Sequence, residues 1–129
     1  MDLEAYFNKV QGLGILSTAN AQGRVDSAVY AKPYFMNDGM IAFIMRDKLT
    51  HANLTKNPYA TYLFKEDGQK YVGKRLYLKK FDESEDEALI SKVKKQSSHA
   101  QASGSMSLEK MFLVLFEIEN TLPLIGDGK

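Results

Sequence analysis

The chain has 129 residues, with 17 basic and 16 acidic side chains, two histidines and no cysteine. That length makes a single domain, residues 1–129, with room for a core that needs no covalent staples. A formal net charge of +1 argues against a nucleic-acid partner, and the missing thiols exclude disulfides, thiolate metal sites and cysteine nucleophiles.

In chain order, Asp2 to Val10 is predicted helical, because Leu3, Tyr6, Phe7 and Val10 recur at i, i+3, i+4 and i+7. Asp2 and Glu4 suit the positive end of its dipole. Leu13–Ala19 is expected as a first strand, followed by a turn over Asn20-Ala21-Gln22-Gly23 and a second strand over Arg24–Phe35 with imperfect alternation. Asn37-Asp38-Gly39 is a hairpin signal. Met40–Met45 is a continuous apolar run, as expected of a strand buried on both faces. A short helix follows over Lys48–Asn57, closed by Pro58.

Tyr59–Phe64 is expected as the fourth strand, Glu66-Asp67-Gly68 as a turn and Tyr71–Lys79 as the fifth strand. Gly73 inside it marks a bulge or a close backbone approach. The second long helix is predicted over Glu85–Gln96. Ser84 and Glu87 have capping-box spacing, Leu89, Ile90 and Val93 form the buried stripe, and Lys92, Lys94 and Lys95 favour its C-terminal end. Ser97–Ser107 is a polar loop or lid, Met111–Ile118 the last strand, and Thr121–Lys129 a tail. Six strands joined largely by hairpins imply a mainly β (α+β) antiparallel sheet, curled into a small barrel with peripheral helices.

No apolar run approaches membrane-spanning length, and the first residues lack an export-signal pattern, so a cytoplasmic protein with no membrane partner is expected. Two histidines without clustered acids make a poor metal site, and no catalytic group stands out. Chemistry concentrates instead where the apolar strand meets the short helix. Arg46, Lys48, Thr50 and His51 crowd that junction, and a helix N-terminus with cations and a hydroxyl suits a phosphate. Alternatively, Asp47 is the helix N-cap and Arg46 and Lys48 are solvated charges.

The order of these pieces, carried by Leu13–Asn20 (LGILSTAN), Gly23–Tyr34 (GRVDSAVYAKPY) and Met40–Phe64, resembles the pyridoxamine 5'-phosphate oxidase-like proteins, the FMN-binding split barrels. The resemblance spans Leu13 to about Ile118. It implies a homodimer holding FMN in grooves between its chains. It places Phe43, Ile44 and Met45 along the flavin ring, and Ser27, Ala28 and Val29 near the flavin edge. The phosphate falls to Leu49, Thr50 and His51, where the family commonly carries Arg and Lys, with Arg46 and Lys48 as nearby substitutes. Lys32 matches the basic residue on the other side of the clamp.

Plainer roles stand beside these. His51 is otherwise a surface residue, Lys32 edge protection, and His99 a solvated loop residue. Tyr30, Tyr34, Tyr59, Tyr62, Tyr71 and Tyr77 suit core and dimer interface better than a cofactor box.

The resemblance implies an FMN-dependent oxidoreductase acting on a small molecule. The alternatives are a non-catalytic electron carrier or sensor, and a haem- or deazaflavin-binding relative. Turnover of pyridoxamine phosphate itself is not expected, because residues 121–126 replace the Arg-containing segment that grips that substrate.

Overall fold

A computed structural model of the protein describes residues 2–96 and 110–128. The elements are helix α1 (Leu3–Lys9), strands β1 (Gly12–Ala19), β2 (Val25–Val29), β3 (Tyr34–Phe35) and β4 (Ile41–Arg46), helix α2 (Leu49–Lys56), strands β5 (Tyr59–Glu66) and β6 (Gly73–Ser84), helix α3 (Glu87–Gln96), and strand β7 (Met111–Pro123). Every strand pair is antiparallel, and the sheet order is β2-β1-β5-β6-β7-β4-β3. The sheet bends around one core but does not close, because β2 and β3 lie at its two edges. This is a split barrel-like fold, mainly β with flanking helices.

Among the described residues seven strands form where six are expected, because the segment 24–35 divides. Its ladder with β1 runs from Val25 to Val29, and the Tyr30 amide adds one bond to the Gly14 carbonyl at 3.0 Å. Pro33 then has no N–H to extend the ladder, and only Tyr34 and Phe35 pair again, with β4. The expected hairpin at Asn37-Asp38-Gly39 joins β3 to β4, with Asp38 and Gly39 in the left-handed region at φ 69° and 77°. Left-handed backbone at two successive positions is what an Asp-Gly pair tolerates.

The apolar run of β4 is explained by burial on both faces. Ile41, Phe43 and Met45 enter the main core with Phe7, Leu16, Leu54, Tyr62, Phe64, Leu76, Phe112, Val114 and Phe116. Ala42 turns the other way, joins Leu113, and is covered by Ile90 and Val93 of α3, with Ile44 packed against them. The α3 N-cap differs from the expected capping box: the Asp86 Oδ1 accepts from the Ala88 amide at 3.0 Å, while the Ser84 hydroxyl accepts from the Asp86 amide.

Strands β6 and β7 run further than expected, to Ser84 and Pro123, with register shifts at Tyr77/Leu78 and Lys80/Asp82. The second shift skips Phe81, so Lys80 and Glu83 share a side of β6, opposite Phe116 and Val114. Gly73 opens β6 at a close approach, where an added side chain would overlap the Phe64 carbonyl. The expected loop over 97–107, with His99, lies outside the described residues. No helix among the described residues is long and apolar enough to cross a membrane.

The outer face of β2-β1-β5-β6 keeps much apolar surface in solvent. Val25 and Val29 are 68% and 71% exposed, and Leu13, Tyr59 and Tyr77 are also exposed. An open cleft of about 290 Å³ on this side is lined by residues that include Ser17, Val25, Tyr59, Thr61, Tyr77 and Glu119.

Candidate functional site

The site begins where β4 ends. On one edge β4 pairs with β7 over its whole length, Ile41 to Arg46, but on the other β3 reaches only Ile41 and Ala42. Among the described residues no strand pairs with that second edge from Phe43 to Arg46. The chain then turns into α2, whose N-terminus has no side-chain cap: Lys48 occupies the cap position, with φ −121° and ψ −167°, and makes no capping bond. Uncapped N–H groups at a helix start, with the dipole behind them, attract an anion.

The other residues of the junction divide by burial. Arg46, Asp47, Lys48 and Leu49 are exposed, whereas Thr50 and His51 are buried. Thr50 is hydrogen-bonded to the Tyr30 hydroxyl, which links α2 to the chain just beyond β2. Burial raises the Tyr30 pKa above its ordinary value, with the Thr50 bond acting in the opposite sense. Tyr30 also meets the Phe43 ring edge-on at 5.8 Å. This chain of contacts brings the end of β2, the middle of β4 and the start of α2 together. Along β2, Ser27 and Val29 are exposed, Ala28 is half-buried, and the Ser27 hydroxyl bonds that of Ser17 at 2.8 Å.

Asp47 is not the N-cap. It stands one position earlier, and its Oδ1 lies 2.9 Å from the His51 Nδ1. His51 Nε2 lies 3.1 Å from both Glu83 carboxylate oxygens, and the imidazole stacks on Phe112 at 3.8 Å with 15° between planes. Lys80 Nζ completes the group at 2.6 Å from Glu83 Oε1. Burial pushes the Glu83 carboxyl up, but hydrogen bonds from Lys80 and His51 outweigh it and hold the group below its ordinary value. His51 is therefore no ordinary surface histidine. In this arrangement both ring nitrogens face carboxylates rather than a phosphate.

Lys32 is also engaged. Its ammonium donates to the carbonyls of Phe7 at 2.8 Å and Val10 at 2.5 Å, where α1 ends and its last carbonyls lack helical partners. Burial lowers the lysine pKa. The α2 N–H groups and the exposed residues Arg46 and Lys48 lie at the junction itself. Sequence reasoning missed Glu83, Lys80 and Phe112, which lie 32, 29 and 61 positions from His51. No short-range pattern connects residues so far apart.

The open, antiparallel split barrel-like fold is shared with solved structures described as an FMN-binding protein and as candidate pyridoxamine 5'-phosphate oxidases. Among solved structures, an FMN-binding protein from Syntrophomonas wolfei superposes with a TM-score of 0.74 at 20% identity, over 95% of this chain and 84% of that one. A candidate pyridoxamine 5'-phosphate oxidase from Lactobacillus delbrueckii gives 0.67 at 15% identity, over 95% and 92%. An F420 reductase gives 0.60 at 14% identity, over 90% and 93%. At these identities the likeness is one of fold. No protein-family model and no curated protein sequence matches the chain.

Proposed function

We propose that the chain binds FMN as a homodimer and works as an oxidoreductase on a small molecule. One observation carries the reading: the β4 edge from Phe43 to Arg46, with which no strand pairs among the described residues, runs directly into an uncapped α2 N-terminus flanked by Lys48 and Arg46. A strand edge offers in-plane donors and acceptors to a flat heteroaromatic ring. A helix start offers N–H groups to a phosphate.

The residues present fit such a group in part. Lys48 supplies the exposed cation, the amides of Leu49, Thr50 and His51 supply donors, and Ile44 and Met45 supply the strand backbone. Lys32 and His51 contribute through the positions they hold rather than as phosphate ligands. When bound, FMN supplies hydride or single-electron transfer, while the protein binds, orients and shields it.

The dimer rests on the outer face of β2-β1-β5-β6, where Val25, Val29, Tyr59 and Tyr77 flank an open cleft. A second copy covers that apolar surface and brings another chain to the β2 residues Ser27, Ala28 and Val29.

Titration with FMN, read by quenching of flavin fluorescence, is expected to saturate at one flavin per chain, on a species that sediments as a dimer. Lys48→Ala is expected to weaken FMN about tenfold, the loss of one charge-assisted bond. Absence of quenching rejects FMN, and saturable binding of a deazaflavin in its place moves the reading to that cofactor.

A further inference from the structure

The outer face of the sheet carries one cleft whose lining follows from the strand register. Ser17 on β1 stands opposite Thr61 on β5, and Thr61 opposite Tyr77 on β6, so the three side chains share a face. Tyr59 lies two residues along β5 on that same face, diagonal to Tyr77 and within reach of it. On β7 the row meets an irregularity. Tyr77 pairs with Asn120 and Leu78 with Ile118, which leaves Glu119 with no residue opposite it. An extra residue of this kind bends its strand and re-aims its side chain. Glu119 thereby joins Ser17, Thr61, Tyr59 and Tyr77 in lining the open cleft of about 290 Å³.

Charge narrows what such a cleft can take. Glu119 is its one charged lining residue, and the others supply hydroxyls, the Asn57 amide and apolar surface such as Val25 and Leu78. From this arrangement we propose that the cleft binds a small aromatic amine, with the ammonium at the Glu119 carboxylate and the ring against Tyr59 and Tyr77. A tyrosine face attracts a cation through its quadrupole. Tyr59 already draws one, because Lys79 Nζ, from the position opposite it on β6, lies 5.9 Å from its ring centre. Lys79 is not itself a lining residue, so it leaves the Glu119 charge in the cleft without an offset. An anion of the same shape meets that carboxylate and is repelled. The volume lies at the small end of ligand sites, which suits a single ring with a short amine arm.

One chain builds the whole site, and the site needs no flavin. It meets the homodimer reading at a single point: a second copy laid over this face encloses the bound amine.

The test is calorimetric titration with three probes of one shape: phenethylamine as the cation, 2-phenylethanol as the neutral analogue and phenylacetate as the anion. Phenethylamine is expected to saturate at one per chain with a Kd of about 1 mM, the range for so small a ligand. Phenylethanol is expected to bind about fivefold more weakly, since Glu119 is exposed and its charge is screened. Phenylacetate is expected to show no binding. Glu119→Gln is expected to bring phenethylamine to the level of phenylethanol and to leave phenylethanol unchanged. Tyr59→Leu is expected to weaken phenethylamine about threefold. In the parent, the amide resonances of Thr61, Tyr77 and Glu119 are expected to move as phenethylamine is added.

Phenylacetate binding as well as phenethylamine overturns the proposal. So do an amine affinity unchanged in Glu119→Gln, amide shifts confined to other residues, and no saturable binding of phenethylamine. Sedimentation of the same samples reports the dimer separately. A monomer that binds phenethylamine keeps the site while the dimer reading fails, and a dimer that does not bind it overturns the site alone.

Discussion

Lys32→Met separates two roles that the same lysine could serve. The substitution keeps an unbranched apolar stem in a site where Lys32 is 9% exposed, and it removes the ammonium that bonds the Phe7 and Val10 carbonyls at 2.8 and 2.5 Å. Hydrogen bonds from a charged donor contribute about 1.5–3 kcal/mol each. Part of that is offset by the cost of burying the ammonium, the same cost that lowers its pKa. The net expectation is a loss of about 2 kcal/mol, or about 6 °C in Tm for a domain of this size.

The change should centre on α1, whose Phe7 is fully buried against Phe64, Tyr62 and Phe35. Urea denaturation followed by far-UV circular dichroism gives the stability, and FMN titration of the folded variant gives the affinity. Lower stability with unchanged FMN affinity is the predicted result. Unchanged stability with FMN affinity reduced tenfold or more would refute it and return Lys32 to the phosphate clamp.

Other outcomes follow from packing and titration. A methyl group on Gly14 overlaps the Tyr62 hydroxyl and comes within 2.7 Å of the Tyr30 carbonyl, so Gly14→Ala should cost about 3 kcal/mol in urea denaturation. Glu83 is held below its ordinary value of 4.5 in the folded protein by its bonds with Lys80 and His51. Its contribution to stability is therefore complete above about pH 4.5 and is lost as pH falls through the folded value. Glu83→Gln should flatten that acid limb in Tm measured against pH. Tyr62 is fully buried and its phenol is raised well above 10.0 by burial, so stability should fall as pH rises past about 10. Tyr62→Phe should reduce that alkaline loss in the same scan.

Elements with a strong local pattern were legible in the sequence. The run Met40–Met45 reads as a strand buried on both faces, and β4 is one, with the main core on one side and Ile90 and Val93 on the other. Leu3, Tyr6, Phe7 and Val10 mark the face by which α1 packs on the core. Legibility fails where long-range contact decides. The apolar run ends at Ile118 and the last strand reads as ending there, yet β7 continues to Pro123 because β6 offers Lys74–Tyr77 to pair with it. Lys32 reads as a strand-edge cation, but the strand has already ended at Val29 and the ammonium finds the end of α1.

At the candidate site the helix start was legible and its wiring was not. Lys48–Asn57 outlines α2 within a residue at each end. Asp47 looks like a cap because aspartate favours that position. In the fold, His51 claims its carboxylate instead, held in place by Glu83 on β6 and Phe112 on β7.

The most direct test of the account is an amide NMR titration of the protein with FMN. The account predicts that the resonances of Phe43, Ile44, Met45, Leu49, Thr50 and His51 move together and saturate at one flavin per chain. Binding that leaves these amides in place while others shift would contradict it, as would a spectrum unchanged by saturating FMN.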